Sequence, residues 1–238
     1  MSPILSEHPV PAPLPRGELS ALGMLLRIAV VFPVMAAVLF GCAGRFDLPA
    51  LWAYMAMCTT IIMLAVRKID PGLRRERLQP GPGGIDRNFR CIAGPFIMAH
   101  MIVACLDVGR LHWSDTVPMP ARILGFVLAA TGMSFSLWAM TVNRFFSPVV
   151  RIQSDRGHHL ITDGPYRYLR HPGYAGLLIG VIGGPLALGS WWALAPSSVA
   201  ALLVLRRTII EDRFLLEHLE GYREFAKNIR YRLLPGVW

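Results

Sequence analysis

Long apolar runs constrain this chain more than any other feature. Leu22–Gly44 and Leu48–Val66 each supply about the 20 residues that an α-helix needs to cross a hydrocarbon core of about 30 Å. Cys91–Leu106 and Ala121–Val142 follow, and a fifth apolar stretch covers Tyr174–Leu205. That stretch is too long for one span. It is interrupted by GGPLALGSWW (Gly183–Trp192), so it reads as two helices joined by a tight bend, with Trp191 and Trp192 at the outer interface. The expected fold is all-α, a polytopic integral membrane bundle of about five or six transmembrane helices. Only 16% of residues are charged, against about 25% in soluble domains, which points the same way. The proline-rich start, SEHPVPAPLPRGELS, is expected to be a disordered arm over residues 1–20, and the apolar run behind it is too long for a cleavable signal peptide.

Charge supplies the orientation. Of 24 Lys and Arg, seven lie in 67–90, five in 143–172 and seven from Arg206 onward. The connections 41–49 and 108–120 carry one each, Arg45 and Arg110. By the positive-inside rule the rich segments and both termini are cytoplasmic, and the expected location is a bacterial inner membrane. A net charge of +9 on that face suits anionic lipid headgroups; no helix-turn-helix, RNA-binding or zinc-finger pattern points to nucleic acid. The QPGPGG cluster (Gln79–Gly84) breaks any helix within the first basic loop.

Three polar clusters close different apolar elements and can surround one cavity: NRFFSPVVRIQSDRGHHLITDG (143–164), YRYLRHPGY (166–174) and RRTIIED (206–212). Singly, each has a plain explanation. Arginines and tyrosines snorkel at interfaces, Pro172 can open a helix, and Arg207–Glu211 can be a solvated i, i+4 pair. Together they are harder to dismiss, because an anchor needs neither a histidine nor a glutamate. Downstream, Phe214, Leu215, Leu219, Tyr222 and Phe225 oppose Glu217, Glu220, Arg223 and Glu224, which predicts one amphipathic helix at the cytoplasmic interface. Gly173, Gly176, Gly180 and Gly184 form a stripe that serves either close helix packing or a ligand. His100, midway through the third span, is read as satisfying a neighbour, and Asp107 as solvated at the outer end. The His158–His159 pair lacks partners at zinc-ligand spacing, so no metal site is expected. No G-x-S-x-G, Walker A or G-x-G-x-x-G pattern occurs, against a serine hydrolase, a P-loop NTPase and a Rossmann dehydrogenase.

HHLITDGPYRYLRHPGYAG (158–176), RRTIIEDRFLLEHLEGYREF (206–225) and RYRLLPGVW (230–238) together resemble the isoprenylcysteine carboxyl methyltransferase family, which is related to the phospholipid N-methyltransferases. The resemblance covers roughly residues 143–238. It implies a methyltransferase using S-adenosylmethionine in a helical membrane fold. Four spans at 21–142 would then precede a catalytic cofactor-binding region at 143–238. Carried over by position, it implies cofactor contacts at His158, Leu160, Ile161, Tyr166, His171, Pro172, Gly173, Tyr174 and Glu211, with Arg207 beside the substrate and Arg207 and Glu211 as the catalytic pair. The acidic pair, usually Glu-Glu in the family, is Glu211–Asp212 here, and Arg151 stands where eukaryotic members have an amide. The implied acceptor is a lipophilic small molecule or lipid-modified substrate, with a carboxylate favoured. A membrane reductase using NADPH on a sterol-like substrate shares a similar C-terminal block and is the alternative; a non-enzymatic transporter or scaffold is the second.

Overall fold

The computed structural model describes residues 21–238, so the expected arm at 1–20 lies outside the described residues. Helices α1 (Ala21–Ala43), α2 (Pro49–Val66), α4 (Phe89–Leu106) and α5 (Met119–Val142) coincide with the four leading apolar runs. All four are long and apolar enough to cross a membrane, with α4 running on through a π-helical turn to Leu111. Their outward faces, such as Leu22, Leu26, Val30 and Val34 on α1, are exposed apolar side chains, as lipid requires. Among the described residues there is no strand, only an isolated antiparallel bridge between Ile85 and Val150. This is a polytopic integral membrane bundle of helices.

The first basic loop holds an unexpected helix, α3 (Pro71–Leu78). Its signal was present in the sequence. The Asp70 carboxylate accepts from the Leu73 amide at 2.8 Å as an N-cap, and Pro71 occupies the first turn where no amide is needed. The break comes after it, at the predicted QPGPGG.

The apolar hairpin is α6 (Pro172–Leu188) and α7 (Leu194–His218). The bend lies at Gly189–Ala193, later than GGPLALGSWW suggested. Gly183 through Leu188 remain helical, and Gly189 ends α6 in the left-handed conformation, its amide reaching back to Pro185 and Leu186. α7 continues unbroken past the apolar segment to His218, so there is no single amphipathic helix from Phe214 to Phe225. The chain turns at Gly221 (φ +76°) and starts a short α8 (Tyr222–Asn228). That turn swings Tyr222 back against α7.

α5 and α6 are packed backbone to backbone. A side chain at Gly132 would lie 2.5 Å from the Gly180 nitrogen and 2.6 Å from the Gly176 carbonyl. One at Gly183 would lie 2.5 Å from the Ala129 nitrogen. Small residues allow such proximity where no hydrophobic effect drives helices together.

The loops segregate as the charge pattern requires: the basic segments meet at one end and the poor connections at the other. At the basic end Arg156 pairs with Asp70 (3.2 Å) and Arg207 with Asp86 (3.0 Å). At the far end Arg110 donates to the Cys42 carbonyl (2.7 Å), and Trp113 packs edge-on against Trp192. Asp107 is not solvated there. It is completely buried, accepting from the Ser114 amide at 2.9 Å and from the hydroxyls of Ser114 and Ser190, which ties the α4 terminus to the hairpin bend.

Candidate functional site

A cleft of about 720 Å³ opens at the basic end. Its walls are the 143–161 segment, the turn at Gly164–Arg167, the start of α6, the polar end of α7, and α8. Of the ten residues singled out from the sequence, His158, Leu160, Ile161, Tyr166, His171, Gly173, Tyr174 and Glu211 line it. Pro172 opens α6 and is buried behind the wall, and Arg207 lies behind Tyr174 with 1% exposure.

The Tyr174 hydroxyl donates to Glu211 at 2.6 Å and accepts from Arg207 Nε at 3.1 Å. Arg207 Nε is 3.6 Å from Glu211. The rest of the guanidinium is occupied. Nη1 donates to both the carbonyl and the carboxylate of Asp86 at 3.0 Å, Nη2 to the Pro148 carbonyl at 3.0 Å, and the group stacks on Phe89. Glu211 keeps a quarter of its side chain exposed to the cleft.

His171 is held from behind by a buried hub that sequence reasoning missed. Asp212, fully buried, receives His171 Nε2 (3.1 Å), the Tyr222 hydroxyl (2.9 Å) and Arg232 Nε (2.7 Å), with Arg170 Nε at 3.2 Å. The C-terminal strap locks onto the same point: the Arg170 and His171 amides donate to the Tyr231 and Arg232 carbonyls, and Arg232 stacks on Trp238. Arg170 is therefore a structural cation at the cleft, whereas Arg167 and Tyr168 are exposed as interface anchors would be. Asp212 was legible only as the second acid of the pair, and Tyr222 only as part of an apolar face.

The loop between α2 and α4, read only as a basic connection, braces the opposite wall. Arg151 lines the cleft and makes a two-pronged contact with Glu76 of α3 (2.9 and 2.8 Å), with Asp155 at 2.8 Å. Ser147 and the Gly81 amide also donate to Glu76.

Two groups make this end acid-sensitive. Burial pushes the Asp212 carboxyl up, but His171, Arg232 and Arg170 outweigh it and hold the group well below the ordinary carboxylate range. His158 accepts from the Gln153 amide at 3.2 Å; burial, then His159, Arg151 and Arg156, push it down to about 4. A carboxylate held low stabilises the fold above its free value near 3.8 and loses that contribution as pH falls. A histidine held below its free value of 6.5 acts in the same direction, because unfolding lets it take up a proton. The unfolding midpoint in detergent should fall from pH 6.5 to about 4 through His158, and further below that through Asp212. The His158→Gln variant should flatten the upper part of that profile.

Below the cleft, within the apolar part of the bundle, a groove of about 710 Å³ opens between α2, α4, α5 and α6. Gly173 faces the cleft, and Gly176 and Gly180, on the same face of α6, line the groove. The glycine stripe thus serves both helix packing and open space. The Phe146 ring, part of the cleft wall, lies across Gly173.

The family model for phospholipid methyltransferase matches residues 120–221, from the start of α5 through the turn at Gly221. A probable protein-S-isoprenylcysteine O-methyltransferase of Oryza sativa subsp. indica is 36% identical over 113 residues, 44% of this chain and 57% of that protein. The protein-S-isoprenylcysteine O-methyltransferase of Schizosaccharomyces pombe is 31% identical over 156 residues, 65% of this chain and 60% of that protein. The resemblance of the C-terminal half to the isoprenylcysteine carboxyl methyltransferase family is matched by these relatives. Similarity is not confined to residues 143–238, since a 65% match must extend into the preceding spans. A further relative, 29% identical over 133 residues (56% of this chain, 58% of that protein), is the cobalt-zinc-cadmium resistance protein CzcN of Cupriavidus metallidurans. The chain spans less than two thirds of the length of these relatives.

Proposed function

We propose that this protein is an integral membrane methyltransferase that binds S-adenosylmethionine in the basic-end cleft and methylates a lipophilic acceptor. The observation that carries the proposal is the convergence of eight family-matched residues on one cleft, next to an apolar groove at membrane depth. By the positive-inside rule the cleft opens to the cytoplasm, so the polar cofactor enters from water and the acceptor sideways from lipid.

The residues present fit the group. Glu211 offers a carboxylate to the cofactor ammonium as a charge-assisted partner. For the cofactor carboxylate the start of α6 offers less than a full helix terminus. The Tyr174 and Ala175 amides already bond the His171 carbonyl, which leaves Gly173 beside the His171 ring and Arg170. Phe145, Leu160 and Phe225 give an apolar bed for a flat base.

When bound, the cofactor supplies an electrophilic sulfonium methyl. The chain's contribution is to position the acceptor in line and keep water out. A carboxylate acceptor needs no base, and the half-buried His158 imidazole, held down to about 4, is a weak base at neutral pH. For Arg207 to receive that carboxylate, Asp86 must release Nη1. Without that exchange Arg207 acts through Tyr174 and Glu211.

Calorimetric titration with S-adenosylhomocysteine tests the proposal. The wild-type protein should bind it. Glu211→Ala should weaken binding by about 30-fold or more, the loss of a partly buried charged partner costing about 2 kcal/mol or more. His171→Ala should weaken it as well. Folded wild-type protein that binds a nicotinamide dinucleotide and not S-adenosylhomocysteine would favour the reductase reading instead.

A further inference from the structure

The groove is apolar almost throughout, yet its deep end is not. His100 sits midway along α4 with 4% exposure, lining the groove, and among the described residues neither ring nitrogen has a hydrogen-bond partner. The expectation that it satisfies a neighbour is met only weakly, by a backbone carbonyl. The Ile97 carbonyl one turn earlier interacts with the ring, at a geometry short of a full hydrogen bond. Tyr54 of α2 lines the same end. Its hydroxyl and His100 Nε2 converge on Gly184: a side chain there would lie 2.9 Å from the first and 3.0 Å from the second. Glycine thus leaves room for two polar atoms to face one point, at a depth where water does not compensate an unpaired imidazole.

We infer that His100 and Tyr54 form a polar subsite for the remote end of the methyl acceptor, and that this acceptor is an elongated lipophilic molecule carrying a hydroxyl or carbonyl group far from the methylated atom. The length follows from α6. Gly173 borders the cleft and Gly184 the subsite, about 16 Å apart at 1.5 Å per residue. An imidazole can donate from one nitrogen and accept at the other, and a phenol does both, so either a hydroxyl or a carbonyl finds a partner. A pure hydrocarbon tail leaves the histidine unpaired. The inference rests on the groove being the acceptor site of the proposed methyltransferase, but the subsite itself is tested by binding alone.

The probes are two C15 isoprenyl thioether carboxylates, one ending in hydrocarbon and one in a terminal hydroxyl. Their affinities would be titrated on protein in lipid nanodiscs without any S-adenosyl compound. The wild-type protein should favour the hydroxylated probe about tenfold. His100→Phe should bring the ratio to about one, His100→Gln should retain part of it, and Gly184→Ala, which crowds the polar point, should reduce it. Helical circular dichroism and gel filtration establish that each variant is folded. A wild-type ratio within twofold, or a ratio unchanged in folded His100→Phe, overturns the inference. Failure to bind S-adenosylhomocysteine overturns the methyltransferase reading instead, and discrimination between the two probes would survive that result.

Discussion

Asp212→Ala should destabilise the protein by about 3–5 kcal/mol, the cost of removing one partner from a buried ion pair. The side chain is fully buried and gathers Arg170, His171, Tyr222 and Arg232 from three separate segments. Its removal leaves Arg170 buried without its ion-pair partner and frees the C-terminal strap, whose carbonyls hold the Arg170 and His171 amides. The two consequences are separable. Unfolding in detergent reports the stability, and S-adenosylhomocysteine titration reports whether His171 still faces the cleft. Asp212→Asn keeps the shape and one acceptor oxygen, so it should recover part of the stability. A loss below about 1 kcal/mol in Asp212→Ala would mean that the arginines find other partners and that the hub does not organise the cleft.

The second large effect is expected from a single methyl group. Gly132→Ala inserts a carbon 2.5 Å from the Gly180 nitrogen and 2.6 Å from the Gly176 carbonyl. Both obstacles are helix backbone, so neither can rotate aside. Alanine gains up to about 1 kcal/mol over glycine in helix propensity. Forcing the helices apart costs more, leaving a net loss of about 2–3 kcal/mol. Because Gly176 also lines the groove, binding of an apolar ligand should weaken together with stability. The control is Gly94→Ala in α4, where nothing lies within 4 Å of the added carbon. That variant should be neutral or slightly stabilised in the same thermal scan. Equal behaviour of the two variants would mean that the α5–α6 seam opens easily.

What the sequence disclosed depended on the kind of signal. The four leading spans were legible because lipid enforces length and apolarity along the whole segment, and the boundaries agree closely. The gathering of basic loops at one end was legible from counting charges. The helix in the first basic loop was marked by Asp70 and Pro71, but a loop rich in arginine and glycine hid it. The site was half legible. The cleft-lining residues were named through resemblance, whereas the residues that brace them are linked by contacts remote in sequence. Glu76 and Arg151 are 75 positions apart, and Arg207 and Asp86 are 121 apart. No local periodicity reports such pairs. Asp107 was misjudged for the same reason, since its partner Ser190 lies 83 residues away.

The uninterrupted course of α7 fixes how the protein meets the two faces of a membrane. From Leu194 to Glu211 the helix spans about 26 Å, and its lower end is clasped through Ser190 to the buried Asp107. The height of Glu211 above the far face is thus set by a rigid rod and not by the lipid around it. When the bilayer thickens or thins, the water line slides along this rod and past the mouth of the cleft. On the methyltransferase reading proposed above, turnover in vesicles of graded acyl-chain length should pass through a maximum where the water line meets the acidic pair.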